Sequence, residues 1–190
     1  MAELTLKQYS ALGGFSEQVG TTKLIETGGV KITTLSIPRD KKTDTEQAIS
    51  DRLGCTLPAV GKTSGSPENG ARILRTSIDR LMVLHDTRFD APNAEDYRVP
   101  TGLGYQVDQS DYWAMFELSG PAAVASLERT CRVNLDQSNF VVGDLARTMI
   151  EEVSTILVRE ETERFALTAP RSFSHSLAHT LLTSLRYVAA

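Results

Sequence analysis

The run from Tyr112 to Leu118 constrains this chain more than any other stretch. Tyr112, Ala114, Phe116 and Leu118 form one wholly apolar face at a period of two. Trp113 and Met115 make the opposite face apolar as well, until Glu117. A strand that is apolar on both sides needs cover on both sides, which predicts a central position in a sheet. Val153 to Val158 repeats the pattern, with Val153 and Leu157 on one face and Ile156 and Val158 on the other. Phe165, Leu167 and Ala169 alternate against Arg164, Ala166 and Thr168, so that strand has one wetter face. A break at Ser119-Gly120-Pro121 opens a helix carrying Val124, Leu127 and Cys131, and Gly143 turns the chain into three short strands. Residues from Val107 to Val188 therefore read as strand, helix, three strands, helix.

The closing helix starts after Pro170, with Ser172 or Ser174 as its expected cap. Phe173, Leu177, Leu181, Leu185 and Val188 recur at helical spacing and are the expected buried stripe. His175, His179 and Arg186 fall on the other side. Two histidines at i and i+4 can share a metal, but no Glu or Cys stands nearby as a third ligand and His85 is remote in sequence. That face is read as solvent or partner surface. The acidic stretch Glu160-Glu161-Thr162-Glu163 reads as a solvated hairpin turn, since nothing around it would separate two carboxyl pKa values.

Residues 1–29 are polar and broken by five glycines, Gly13, Gly14, Gly20, Gly28 and Gly29. Apart from weak helical spacing over Leu4 to Leu12, they read as a loose arm that becomes ordered against a neighbour. Val30 to Ile37 is the first strand, and its parity changes at Thr33-Thr34, which suggests a bulge. Thr43-Asp44-Thr45-Glu46 has capping-box spacing before a short helix with Ala48, Ile49 and Leu53 on its buried side and Gly54 as its stop. A loop from Thr56 to Ala71 includes Gly61-Lys62-Thr63, which resembles the end of a phosphate-binding loop. The leading glycine is replaced by Thr56, and Ser64-Gly65-Ser66-Pro67 cannot carry the helix such a loop feeds, so the loop is not read as a nucleotide site. Ala71–Leu74 and Leu81–His85 make a hairpin. The polar, acidic segment from Asp86 to Gly104 then divides a first half, residues 30–104, from a second, residues 105–190. The fold class is α+β, with strand–helix–strands units that share an order of elements and suggest duplication.

A net charge of −4 with scattered basic residues argues against nucleic acid as a partner. No stretch approaches the roughly twenty apolar residues of a membrane helix, and no apolar leader follows a basic start. Cys55 and Cys131 are the only cysteines and are expected to be reduced, so a cytoplasmic location is expected.

Several segments together resemble the gamma subunit of heterotetrameric sarcosine oxidase. These are Val107-Asp108-Gln109-Ser110 before a strand and Ser119-Gly120-Pro121-Ala122, then Val133-Asn134-Leu135-Asp136 and Gly143 with Ala146-Arg147-Thr148. Phe165-Ala166-Leu167 leading to Arg171-Ser172-Phe173 completes the second half, and Leu57-Pro58 with Asp79-Arg80-Leu81-Met82-Val83-Leu84 the first. The resemblance implies a folate-binding aminomethyltransferase-like fold and a place beside alpha, beta and delta subunits. It implies FAD, FMN, NAD, zinc and tetrahydrofolate in those other subunits, and no catalytic, cofactor or metal residue in this one. The implied reaction is oxidative demethylation of sarcosine to glycine, giving formaldehyde or methylene-tetrahydrofolate and hydrogen peroxide. An equivalent subunit of a related enzyme such as N-methylglutamate dehydrogenase stays open, as does a stand-alone folate-binding one-carbon protein. For the last, Asp108, Glu117 and Arg147 are the only nominees, and its Lys-Gly-Cys-Tyr type of signature is missing. Arg147 and Arg171, where the resemblance falls on arginines, join His175, His179 and Arg186 as expected partner-interface residues.

Overall fold

The computed structural model describes residues 9–66, 71–86 and 99–189. Two antiparallel sheets pack face to face, with helices on both outer faces. The six-stranded sheet takes β1 (Ser16–Val19), β2 (Thr22–Thr27), β8 (Trp113–Ser119), β11 (Arg164–Pro170), β10 (Val153–Glu161) and β9 (Leu145–Ile150), in that spatial order. The five-stranded sheet runs β4 (Thr63–Ser66), β5 (Ala71–Ser77), β6 (Arg80–Asp86), β3 (Val30–Ser36) and β7 (Tyr105–Asp108). The helices α2 (Ala123–Glu128) and α3 (Ser174–Val188) bury Leu127, Leu177, Leu181 and Leu185 on the first sheet. The helix α1 (Lys42–Leu53) buries Ile49 and Leu53 on the second. Between the sheets lies a third apolar layer of Ile32, Leu74, Met82, Leu84, Leu145, Ile156 and Val158. These layers supply the cover that the two-sided strands demand. β8 and β10 are interior, as their patterns predict.

Residues 16–27 do not remain a loose arm. β1 and β2 form a hairpin, and β2 pairs along β8 with Leu24 fully buried. Likewise β7, which begins the expected second half, pairs with β3 of the first. Each sheet thus borrows a strand from the far side of the expected boundary. Of the segment expected as a connection, 87–98 lies outside the described residues, as does most of Leu4 to Leu12.

The parity change in β3 is not a bulge. Its register to β6 runs unbroken from Val30↔Asp86 to Ser36↔Arg80. Leu35 packs toward α1 while Ile32 packs between the sheets, so both faces are simply apolar. The expected capping box also fails to form. Glu46 pairs instead with the buried Arg75 guanidinium, a charge-assisted contact that outweighs a local cap. Thr45 lies between the carbonyls of Lys41, at 2.7 Å, and Leu103. Gly54 ends α1 in the left-handed region at φ 64°, as expected.

Neither Ser172 nor Ser174 caps α3, which is led in by a 3-10 turn over Arg171–Phe173. The tighter turn rotates Phe173 off the α-helical stripe, and it is 49% exposed. Leu177, Leu181 and Leu185 are fully buried, and Ala178 and Leu182 widen the stripe.

Candidate functional site

The segments that looked most distinctive in sequence are joints. Val107-Asp108-Gln109-Ser110 carries the chain from the five-stranded sheet into the six-stranded one. Asp108 Oδ1 accepts from the Ser110 amide at 2.9 Å and its hydroxyl at 2.6 Å, which holds the Asp108 carboxyl below its ordinary pKa. Ser110 Oγ accepts from the Ile32 amide at 3.0 Å. Gln109 Oε1 accepts from Thr34 Oγ1 at 2.6 Å and from Trp113 Nε1 at 3.2 Å, tying β3 to β8. In Ser119-Gly120-Pro121, the Gly120 φ of 123° excludes ordinary residues, and a Cβ would sit 2.8 Å from the Thr21 carbonyl oxygen. The Gly61-Lys62-Thr63 loop is a second joint. Lys62 pairs with Asp144, and the Thr63 amide donates to the Gly143 carbonyl at 2.9 Å, so the loop fastens one sheet to the other.

Where the sheets diverge beyond this fastened layer, a groove of about 320 Å³ opens. Thr34, Ser36, Thr76, Arg80 and Met82 line it from the five-stranded sheet, and Tyr112, Trp113, Arg147 and Ile156 from the other side. Arg147 shares its strand face with Leu145, and Arg80 shares its face with Met82 and Leu84, so both arginines extend the inter-sheet layer to its mouth. Among the described residues neither guanidinium makes a hydrogen bond or ion pair, and none of the lining residues is acidic. Asp79, beside Arg80 in sequence, accepts from Ser77 Oγ at 2.7 Å, and that bond, helped by the nearby Arg80 charge, holds its carboxyl below the ordinary range. The arrangement suits an anionic group and offers no nucleophile with a base.

The expected interface residues do not converge on this groove. Only Arg147 lies in it. Arg171 donates to the Tyr9 carbonyl and borders a smaller cavity of about 190 Å³ with Glu26, Gly28 and Trp113. His175, His179 and Arg186 stand exposed on the outer side of α3, across the six-stranded sheet. The nominated Asp108, Glu117 and Arg147 also stay apart in function, since Glu117 faces Arg164 at 3.7 Å and Asp108 is occupied by Ser110. Among the described residues, no group of three or more His, Cys, Asp or Glu is placed to hold a metal ion, and no helix is long and apolar enough to cross a membrane. Cys55 is half-buried, Cys131 is buried, and both are free thiols.

Sequence reasoning missed Arg80 and Gln109 as groove residues, and it missed Arg159 altogether. Arg159 is 1% exposed, donates to the Phe140 carbonyl at 2.5 Å and lies 5.0 Å from the Phe165 ring centroid. Its period-two relation to Val153 and Leu157 was the available signal that it points into the core. Glu160 in the supposedly solvated turn is likewise engaged, pairing across the sheets with Arg72.

No known protein-family profile matches the chain. It is similar to sarcosine oxidase subunit gamma of Corynebacterium sp. (strain P-1), with 24% identity over 139 residues, 73% of this chain and 68% of that one. The resemblance read in the sequence is thus found again. In fold the chain is similar to heterotetrameric sarcosine oxidase from Corynebacterium sp. U-96 in complex with pyrrole 2-carboxylate, with a TM-score of 0.78 and 21% identity. That superposition covers 89% of this chain and 86% of the other. Aminomethyltransferase T of the glycine cleavage system from Bartonella henselae matches with a TM-score of 0.60 and 16% identity, over 86% of this chain and 46% of its own length.

Proposed function

We propose that this chain is a gamma-type subunit of a heteromeric oxidoreductase of the sarcosine oxidase kind, and that it acts through assembly. One observation carries the reading: its fold follows a chain of heterotetrameric sarcosine oxidase almost end to end, whereas it matches less than half of the aminomethyltransferase. The groove supports the same view, because it presents two arginines and aromatic rings without an acid–base pair among the described residues. Alpha, beta and delta subunits are then its partners. FAD, FMN, NAD, zinc and tetrahydrofolate belong to those chains, in a cytoplasmic complex that demethylates sarcosine oxidatively. Arg147, Arg171, His175, His179 and Arg186 are its contact residues.

The fold also supports duplication. The spatial orders β4-β5-β6-β3 and β9-β10-β11-β8 have the same form, with a helix after the strand that ends each series in space. We read them as two copies of one unit that exchange their leading strands, β2 and β7.

The test is purification of the native assembly through a tag on this chain. It should contain flavin-bearing chains in fixed stoichiometry and oxidise sarcosine. Recovery of this chain alone, or with partners that carry no flavin, contradicts the proposal. Expressed alone, the chain should show no flavin absorbance and no stoichiometric zinc.

A further inference from the structure

We infer that the groove between Arg80 and Arg147 is a docking slot for a partner subunit's segment that inserts a carboxylate side chain between the two guanidiniums. This rests on the assembly reading and names the surface and the chemistry that it uses. Three observations lead to it. The arginines come one from each sheet, neither guanidinium makes a hydrogen bond or ion pair among the described residues beyond the pull of the Arg80 charge on Asp79, and no acid among the described residues lines the groove, in a chain whose net charge is −4. A positive mouth on an acidic protein selects an acidic segment.

The second observation is the apolar strip that continues from the groove onto the surface. Val107 and Tyr105 stand on one face of β7, opposite Thr34 and Ser36, at 56% and 74% exposure, and Tyr112 is 51% exposed. The strip reaches past the cavity, so a small carboxylate filling about 320 Å³ would leave it uncovered, whereas a polypeptide segment would cover it. Tyr and Arg are among the residue types that dominate protein–protein contacts.

The third is the rigidity of the slot. Gln109 is held by Thr34 and by Trp113, and Trp113 meets Tyr112 edge-on with ring centroids 4.7 Å apart. The aromatic wall is therefore set before a partner arrives, which lowers the ordering cost of binding.

The test is competitive incorporation. Wild-type and variant chains of distinguishable mass are co-expressed with the flavin-bearing subunits, and native mass spectrometry reads their ratio in the assembled complex. The double variant Arg80→Glu/Arg147→Glu should be incorporated about a hundredfold less than wild type, and Arg80→Lys/Arg147→Lys within about tenfold. Amides from 105 to 113 should gain hydrogen-exchange protection on assembly. If circular dichroism shows the double variant unfolded, the single variants Arg80→Gln and Arg147→Gln are read instead, each expected to lose about tenfold or more. Equal incorporation of folded variants overturns the slot while leaving the assembly reading intact. Failure of the wild-type chain itself to assemble overturns that reading and the slot with it. A rise in the melting temperature of the isolated wild-type chain with benzoate, absent in the double variant and accompanied by equal incorporation, overturns the partner segment in favour of a small carboxylate.

Discussion

Both sheets fold their hairpin strands back onto the strand that precedes a helix, but their outer faces are covered to different depths. On the six-stranded sheet α2 and α3 close over a cluster of twenty buried residues, with Phe116, Leu118, Phe165 and Leu181 at zero exposure. Among the described residues of the five-stranded sheet, α1 closes over eight. The second helix also adds a Ser184 hydroxyl bond to the Ser126 carbonyl at 2.8 Å, which locks α3 to α2. The thinner unit instead carries the exposed Tyr105 and Val107 and one of the two groove arginines, Arg80. The deeper apolar cover thus lies on one sheet, and the exposed Tyr105 and Val107 on the other.

The largest expected effect tests that division. Phe116→Ala should cost about 3–5 kcal/mol and Leu181→Ala about 2–5 kcal/mol, because each leaves a cavity in the deep cluster. Ile49→Ala, in the shallow cluster, should fall near the lower end, about 2 kcal/mol. Urea denaturation of the three variants decides the matter, and an Ile49 loss equal to that of Phe116 would erase the contrast.

The fastening between the units comes next. Asp144 receives both Lys62 and the Val141 amide, at 3.0 Å, and is 8% exposed. Asp144→Ala should cost about 1–3 kcal/mol by leaving that amide without its acceptor. Lys62→Ala should cost under about 1 kcal/mol, since its ammonium is half in solvent.

A smaller effect separates the units by pH. Burial pushes His85 on β6 below its ordinary pKa, and Lys31 across the ladder lowers it further. The unfolded chain therefore binds this proton more readily than the folded one. The contribution is complete above about pH 6.5 and is lost as the pH falls through the depressed folded value. Denaturation midpoints between pH 7.5 and 5.5 should fall, and His85→Gln should flatten the slope. Ser110 holds Asp108 ionised in the same sense lower down, so its contribution is present above about pH 3.9 and lost below it.

The smallest effect is expected on the outer side of α3, where His179→Ala should stay within about 0.5 kcal/mol. A loss comparable to that of Leu181→Ala would mean that the helix is rotated from its observed setting.

The interior strands were legible because β8 and β10 must be apolar on two faces, and short two-sided apolar runs bounded by turn residues mark covered strands. The hairpin β1–β2 was not. β1 is an edge strand with mostly exposed residues, and glycines that suggested a loose arm are turn positions, such as Gly20 at φ 58° between the two strands. Only Leu24 and Thr22 sink into the structure, too few for a period to stand out. The groove was illegible for another reason. Arg80 and Arg147 line one groove only because β6 and β9 lie in different sheets stacked face to face, which no local spacing encodes. The sequence resemblance pointed to Arg147 without indicating its neighbour.

The most direct test of an assembly role is turnover per intact complex. Complexes carrying Arg147→Ala or Arg171→Ala would be separated by size, their composition checked by native mass spectrometry, and sarcosine-dependent turnover normalised to correctly assembled particles. The account predicts a lower yield of complex with near-normal turnover in each particle. A thousandfold loss of turnover in a fully assembled complex would place one of these arginines in the chemistry and contradict it.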